Sequence, residues 1–244
     1  MKIAGWVKAN LLNLNYAKCK AMIISRKGTT LPTLFLDGDE IEEVKSYRYL
    51  GLHITSDLKW DTHVAAICQK SRKLLGMLYR KFYTSLDPTA LCRLYVSLVC
   101  PILEYACQVW DPYTQKCINE VESVQKFALK ISSHCWRTNY DNLLDIFHLP
   151  SLAERREYLR LITLHKILLG KFTFPPNILL PKQITHDTRN ARSNNNAYSI
   201  PFARTLSFKS SFVPRTVAVW NNLGEESKSC DIVKFQLTLK RMML

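Results

Sequence analysis

Five basic side chains in one short stretch of this chain have the spacing of a phosphate-binding surface. No acidic residue lies between residues 70 and 81. The basic residues there are Lys70, Arg72, Lys73, Arg80 and Lys81. Lysine and arginine that contact phosphates supply affinity for nucleic acids without sequence choice. We therefore predict a nucleic-acid-binding helix face, with Tyr79 and Tyr83 nearby, and the alternative is an ordinary solvated face.

An acidic cluster, Asp37-Gly38-Asp39-Glu40, is the second group that could do chemistry. Paired carboxylates can hold the two divalent ions with which polymerases activate a hydroxyl and stabilise leaving pyrophosphate. However, Asp-Gly is typical of a tight hairpin turn, because such a turn needs positive φ values. The cluster also lacks the flanking hydrophobic strands of a catalytic motif. We therefore expect a solvated turn and assign no metal ligand in this chain.

Composition indicates a basic, well-packed protein. The 244 residues include 34 Lys and Arg against 20 Asp and Glu, a net charge of +14, and 47% are hydrophobic. Such a surface favours polyanionic partners. No apolar run is long enough for a membrane span, and the first residues do not have the pattern of a signal-peptide h-region. We therefore expect an intracellular protein of the cytoplasm or nucleus with reduced cysteines. Cys68, Cys92 and Cys100 fall on apolar helix faces and are predicted to be buried.

Hydrophobic periodicity predicts short strands followed by long helices. Asp61 is a candidate cap for the basic helix, Asp87-Pro88 and Ser151 with Glu154 are helix starts, and Gly170 is a helix stop. Pro101 is expected to kink or break its helix. The predicted helices cover residues 2–14, 61–82, from 87, 117–132 and 151–169. The predicted strands and turns cover residues 20–25, 26–30, 34–36 with 40–44, and 47–54.

Two segments carry a resemblance to a known family. Asn15-Tyr16-Ala17-Lys18-Cys19-Lys20, and Tyr47 to Ile54 followed by Thr55-Ser56-Asp57-Leu58-Lys59-Trp60, resemble the part after the catalytic motif in non-LTR, jockey-like (LINE-type) retrotransposon reverse transcriptases. The segments at 103–112, 122–127, 201–205 and 211–215 are similar to the region after the thumb of these proteins. The resemblance covers about residues 2–226.

The resemblance implies roles for individual residues. Lys18 would approach the phosphates of an incoming nucleotide and could donate a proton to pyrophosphate, with an ordinary surface lysine as the alternative. Tyr49, Leu50 and Gly51 would form the hairpin that grips the primer end, and the alternative is that Gly51 only relieves crowding inside a strand. The helix that begins at Asp61 would start the thumb. Trp110 and Trp136 are expected to pack inside the helical core.

The resemblance also implies which catalytic residues a chain of this family needs for polymerase activity. The family's metal-binding aspartate pair would lie just before residue 1, so we expect the chain to lack polymerase activity alone. A complete protein with an N-terminal polymerase segment would be a magnesium-dependent RNA-directed DNA polymerase. The chain itself is expected to need no cofactor and to bind RNA–DNA or RNA duplexes non-specifically.

These expectations combine into one fold prediction. We predict an α+β protein in which a small partial palm, a helix with short strands and a hairpin over residues 1–56, precedes a mainly α-helical thumb and post-thumb region. The helical regions are assigned to residues 57–135 and 136–181, and a basic, partly flexible arm to residues 182–244. The alternative is a small, non-enzymatic, basic helical module that binds nucleic acid or an acidic protein.

Overall fold

The computed structural model describes residues 2–13, 15–25, 32–36, 38–175, 178–179 and 197–243. It divides the chain into two units, residues 1–63 and 64–244. The elements of the first unit are α1 Lys2–Ala9, β1 Lys20–Ala21, β2 Leu34–Leu36, β3 Asp39–Glu43, β4 Ser46–Tyr49 and β5 Leu52–Thr55. The predicted α+β class is confirmed. The palm and thumb assignments and the four domain ranges stay predictions.

The predicted hairpin around Gly38 is confirmed. β2 and β3 pair antiparallel with Leu36 opposite Asp39, and Gly38 has a φ of 98°, which a residue without a Cβ adopts at low cost. β3 also pairs in parallel with β1, so the strand order is β1-β3-β2. The Lys20 ammonium reaches the Glu42 carboxylate at 2.5 Å across this parallel pair.

The single strand predicted over residues 47–54 is wrong, because the chain turns back in its middle. β4 and β5 pair antiparallel with Tyr49 opposite Leu52, and only Leu50 and Gly51 connect them. Both connecting residues have positive φ, 47° and 88°. Two consecutive positive φ values give the tight turn whose twist matches a hairpin. Periodicity alone misses this turn because leucine rarely takes positive φ.

Other first-unit predictions differ mainly in length. The helix predicted over residues 2–14 ends at Ala9, and Leu11 takes a φ of 53°. The strand predicted over residues 20–25 is two residues long. Three regions with predictions lie outside the described residues. They are the turn predicted at residues 26–30, Asp37 of the acidic cluster, and residues 182–196 of the predicted arm.

The described elements of the second unit are mainly helices. Helix α2 begins three residues before the boundary between the units and continues into the second unit. They are α2 Asp61–Phe82, α3 Pro88–Leu94, α4 Cys100–Glu104, α5 Cys107–Trp110, α6 Gln115–Ser133, α7 Tyr140–Phe147, α8 Leu152–Leu168, α9 Leu206–Lys209, α10 Phe212–Asn221, α11 Glu225–Lys228 and α12 Ile232–Met243. The basic helix has the predicted bounds, with Asp61 inside its first turn. Asp87 caps α3 by accepting a hydrogen bond from the Ala90 N–H at 2.9 Å.

The predicted irregularity at Pro101 is a wide helical turn. Residues Tyr95–Val99 form one π-helical turn between α3 and α4, and the Cys100 N–H bonds to the Tyr95 carbonyl. Proline lacks an N–H and cannot complete the regular ladder, and an inserted π turn is one way in which a helix accommodates it. The regular α-helical hydrogen-bond ladder is therefore interrupted in the turn before Pro101.

The start of α8 is fixed by two layers of polar contacts. Ser151 and Glu154 form the predicted capping box, with the Ser151 N–H donating to the Glu154 carboxylate at 2.8 Å. The Glu122 carboxylate on α6 accepts hydrogen bonds from the N–H groups of Leu152 and Ala153 at 3.2 and 2.8 Å. A carboxylate at a helix N-terminus is favourable because the free N–H groups there carry partial positive charge.

A buried ion cluster joins α5, α8 and α10. The Asp111 carboxylate, 5% exposed, accepts a hydrogen bond from Arg156 at 2.7 Å and lies 3.2 Å from Arg160 and 3.0 Å from Arg215. Arg156 and Arg160 are 1% and 2% exposed. Burial lowers the pKa of the Arg160 guanidinium, and the Asp111 charge partly offsets that effect. Sequence analysis missed this cluster.

The described part of the C-terminal region contains four helices. Residues 206–209 and 212–221, which belong to the arm predicted over residues 182–244, are helical. Val217 and Trp220 on α10 and Phe235 on α12 pack with Leu161 and Leu164 of α8 in one core. The Trp220 segment therefore docks onto the core. The predicted burial of Cys68, Cys92 and Cys100 is confirmed.

Candidate nucleic-acid interface

The basic residues of α2 lie opposite its buried stripe. Lys70, Lys73, Arg80 and Lys81 are exposed, and the 3.6-residue helical repeat groups them on one side. The other side is buried at Val64, Cys68, Leu75 and Leu78. Helix α2 therefore presents a cationic stripe, defined here as Lys70, Lys73, Arg80 and Lys81.

Arg72 has a different position from the other four. Its guanidinium donates a hydrogen bond to the Ser123 hydroxyl on α6 at 2.9 Å and lies 3.8 Å from the Glu120 carboxylate. Its side chain stays 45% exposed. By helical spacing it falls on the α6 side of α2, so two neighbours compete with a phosphate for its donors.

Gly76 lies between the cationic stripe and Arg72. A Cβ added there would meet only the Arg80 Nη1 atom, at 3.5 Å, which is ordinary contact. Packing therefore does not require glycine, and glycine in a helix interior costs about 1 kcal/mol relative to alanine. A gap at this position would let a phosphate chain approach the helix backbone.

In the first unit, the structure brings the two family-like segments together. Lys18 ends a 3₁₀ turn, Tyr16–Lys18, and its N–H donates to the Asn15 carbonyl at 3.0 Å. The Tyr47 hydroxyl, on β4, donates a hydrogen bond to the Lys18 carbonyl at 3.2 Å. The Lys18 residue itself is exposed. A ligand at the β4–β5 hairpin could thus also meet the Lys18 region.

The hairpin tip carries exposed apolar side chains. Tyr49 and Leu50 are 57% and 71% exposed. Leu50 takes a left-handed conformation that costs a non-glycine residue about 1 kcal/mol or more. The predicted grip residues Tyr49, Leu50 and Gly51 are therefore together, accessible and in a strained turn.

A short turn connects this hairpin to α2. The Asp57 carboxylate accepts hydrogen bonds from the Thr55 hydroxyl at 2.7 Å and from the Lys59 N–H at 3.1 Å. These bonds, led by that from Thr55, lower the pKa of Asp57. Downstream, the buried His63 ring accepts a hydrogen bond at Nδ1 from the His53 N–H at 3.4 Å. The Ser-Asp-Leu-Lys-Trp segment thus forms a hydrogen-bonded turn between the hairpin and α2.

Candidate metal-ligating side chains are dispersed among the described residues. They contain no group of three or more His, Cys, Asp or Glu side chains placed to hold a metal ion. Asp39 and Glu40 are exposed on β3.

One predicted core residue lies on the surface. Trp110 is fully buried, as expected, and its indole N–H donates to the Tyr105 carbonyl at 2.7 Å. Trp136, by contrast, is 46% exposed, so its predicted packing inside the core is wrong. It follows His134, which caps the end of α6 in the left-handed conformation.

Comparison with known proteins identifies the class of protein that this chain resembles. It is similar to RNA-directed DNA polymerases of retrotransposons, which confirms the resemblance found in the sequence. The RNA-directed DNA polymerase from mobile element jockey of Drosophila melanogaster is 21% identical over 68% of this chain. The corresponding jockey polymerase of Drosophila funebris is 24% identical over 62% of it.

A third relative comes from another element. A 115 kDa protein in the type-1 retrotransposable element R1DM of Drosophila melanogaster is 27% identical over 40% of this chain. The chain spans 19%, 17% and 10% of the lengths of the two jockey polymerases and the R1DM protein. No family model matches the chain, and no solved structure gives a significant match. Among its described helices, none has the length and apolarity needed to cross a bilayer.

Proposed function

We propose that this chain is the thumb-containing part of a retrotransposon reverse transcriptase and holds the template–primer duplex through the cationic stripe of α2. The observation that supports this most is the grouping of four exposed cations opposite the buried side of α2. Residues 70 to 81 span about 16 Å of helix axis, the length of roughly five base pairs. The chain binds the sugar–phosphate backbone of an RNA–DNA or RNA duplex without sequence preference.

Salt dependence tests this proposal. A fluorescent RNA–DNA hybrid is titrated with the protein at several salt concentrations, and the slope of log K against log salt is measured. Four phosphate contacts give a slope of about −3.6. The triple variant Lys70→Ala, Lys73→Ala, Arg80→Ala removes three contacts and should reduce the size of the slope by about 2.7.

The control variant removes equal charge from another helix of the same unit. Lys234, Lys240 and Arg241 are exposed residues of α12. Their replacement by alanine lowers the net charge by the same amount, so it reproduces any effect of overall charge. Equal slopes for the two triple variants would rule out the cationic stripe as the binding surface.

The form of the nucleic acid separates a polymerase part from a general basic module. A polymerase thumb should favour a template–primer junction over plain duplex of equal length, because the hairpin segment is expected to grip the primer end. A module for acidic proteins or for any polyanion should bind junction and duplex alike. Competition between the two ligands measures the difference directly.

The complete protein, by this proposal, is an RNA-directed DNA polymerase in which Lys18 faces the phosphates of the incoming nucleotide. Its position beside the Tyr47 hydroxyl, next to the grip hairpin, supports this role. In a longer protein with polymerase activity, Lys18→Ala should slow nucleotide incorporation, whereas Lys18→Arg should retain nucleotide affinity better than Lys18→Ala because it keeps the charge. Equal activity of wild type and Lys18→Ala would reduce Lys18 to a surface lysine.

A further inference from the structure

Aromatic side chains form a second surface beside the cationic stripe. The ring centroids of Tyr79 and Tyr83 are 4.5 Å apart, and those of Tyr83 and His134 are 4.3 Å apart. The centroids of Phe127 and Trp136 are 6.0 Å apart. We call these five residues the aromatic patch. All belong to the second unit, and they connect the end of α2 to the end of α6.

Two contacts place α2 and α6 alongside each other. Arg72 of α2 contacts Ser123 of α6, and Tyr83 contacts His134. The second contact lies roughly three helical turns after the first along both helices. The two helices therefore run in the same direction. On α2, helical spacing puts Tyr79 and Tyr83 on the side of Arg72, next to the cationic stripe.

The rings of the aromatic patch are accessible. Tyr79, Phe127 and Trp136 are 36%, 39% and 46% exposed. Clustered exposed aromatic rings forgo the free energy of burial that the interior would give them, so such a cluster marks a binding surface more often than a lone exposed ring does. Their tilted contacts, at interplanar angles of 42° to 54°, leave ring surface open to a ligand.

The charge around the aromatic patch selects the class of ligand. By helical spacing, Arg80 on α2 and Lys130 on α6 lie nearest the rings. Lys81, Lys126 and Arg137 are neighbours of the aromatic residues in sequence. An apolar protein surface would use the rings but would leave these cations without opposite charges. Nucleic acid uses both, because bases stack on aromatic faces and phosphates meet lysine and arginine.

We propose that the aromatic patch stacks unpaired bases of single-stranded nucleic acid adjacent to the duplex on the cationic stripe. This inference rests on the proposed function. It adds that the nucleic acid next to the bound duplex is single-stranded where it contacts the aromatic patch. Trp136, Phe127 and Tyr79 supply the stacking surface. Tyr83 packs between Tyr79 and His134 and connects the rings of α2 to the end of α6. The flanking cations neutralise the phosphates of the single strand.

The test compares single-stranded and duplex ligands with one set of variants. A deoxythymidine strand of about twelve nucleotides and an RNA–DNA duplex are each titrated by fluorescence anisotropy. The double variant Tyr79→Ala, Trp136→Ala should bind the single strand at least roughly 30-fold more weakly, because each lost stack removes a base contact. Its duplex affinity and salt slope should change less than about twofold, since the phosphate contacts remain.

Three controls keep the result interpretable. Phe202→Ala removes an aromatic ring that is 84% exposed elsewhere in the second unit, and it should leave single-strand affinity unchanged. Trp136→Phe keeps an aromatic face and should retain most of the affinity that Trp136→Ala loses. Equal urea midpoints of the variants would show that the fold is intact.

The outcomes separate this inference from the proposed function. Loss of duplex salt dependence in the Lys70, Lys73, Arg80 variant reports on the cationic stripe alone. If the Tyr79, Trp136 variant binds the single strand as tightly as wild type does, the stacking proposal is wrong whatever the stripe does. The aromatic patch would then be a surface for another protein.

Discussion

The hydroxyl of Tyr47 donates a hydrogen bond to the backbone carbonyl of Lys18 across 3.2 Å, although the two residues are 29 positions apart. The bond joins the turn that carries Lys18 to the first strand of the β4–β5 hairpin. Because it uses a backbone carbonyl, it fixes the path of the chain at Lys18 and leaves the ammonium group available. The two segments that resemble reverse transcriptases are thus held together by a contact within one unit.

Tyr47→Phe should destabilise the first unit slightly. It removes one exposed hydrogen bond and keeps the ring, so the expected cost is about 0.5–1 kcal/mol. Hydrogen exchange of the amides around residues 18–20 measures the loss locally, and it should quicken there more than in the second unit. Unchanged exchange at these amides would mean that the contact does not constrain the turn.

Leu50→Asn should stabilise the hairpin. Asn-Gly tolerates the positive φ values at residues 50 and 51, so the substitution removes about 1 kcal/mol of backbone strain. Urea unfolding of the first unit measures this gain. Leu50→Ala keeps the strain and deletes the side chain, so a loss of template–primer affinity in both variants would assign the contact to the leucine side chain. A lower stability of Leu50→Asn would contradict the strain argument.

Gly76→Ala should raise the stability of the second unit by about 0.5–1 kcal/mol. The added Cβ finds only ordinary contact with Arg80, and alanine has the higher helix propensity. Thermal denaturation measures the gain. If duplex affinity falls while stability rises, a phosphate chain approaches the helix at Gly76. A destabilised variant would instead indicate that the site is more crowded than the contact at 3.5 Å implies.

Asp111→Asn should be strongly destabilising, by about 3–5 kcal/mol. The substitution leaves Arg156 and Arg160, both almost fully buried, without the carboxylate that they share. Arg215→Ala is the matched comparison, because Arg215 is 31% exposed at the edge of the same cluster and should cost much less. Urea midpoints measure both. Similar small losses in the two variants would show that water solvates the cluster.

Acid should destabilise the first unit through His63. Burial, with a smaller contribution from the charge of His53, lowers the pKa of His63 to about 4. A lowered folded pKa means that the unfolded chain binds the proton more tightly. The contribution of up to about 3 kcal/mol is therefore complete above about pH 6.5 and is lost as the pH falls toward about 4.

The measurement for His63 is the urea midpoint between about pH 7 and pH 4, for wild type and His63→Asn. Asparagine does not titrate, and its side-chain oxygen can accept the His53 N–H bond. Carboxylates such as Asp57 titrate in both proteins, so the difference between the two curves isolates His63. Parallel curves would mean that His63 titrates normally in the folded state.

The long helices were predictable because their signals are local. The bounds of α2 follow from its apolar repeat, the capping box of α8 from Ser151 and Glu154, and the irregularity before α4 from Pro101. The hairpin at Leu50-Gly51 was not predictable from strand periodicity. Its turn depends on a leucine in a conformation that leucine seldom adopts, which neighbouring strands must enforce.

Some features of the candidate sites were likewise predictable from local sequence, whereas others depend on contacts between distant segments. The cationic stripe was predictable, because charges spaced along one helix share a side whatever surrounds the helix. The departure of Arg72 toward Ser123, the cluster around Asp111 and the exposure of Trp136 were not. Each of these depends on a partner on another helix, distant in sequence.

The sequence alone determined the α+β class, the basic helix face, the main helix starts and the resemblance to retrotransposon reverse transcriptases, since composition, spacing and short motifs are properties of neighbouring residues. Only the tertiary structure decided that Tyr47 meets Lys18, that Asp111 gathers three arginines and that the aromatic patch faces solvent. The physical reason is that burial and pairing depend on which distant segments pack together, and packing is a property of the whole fold.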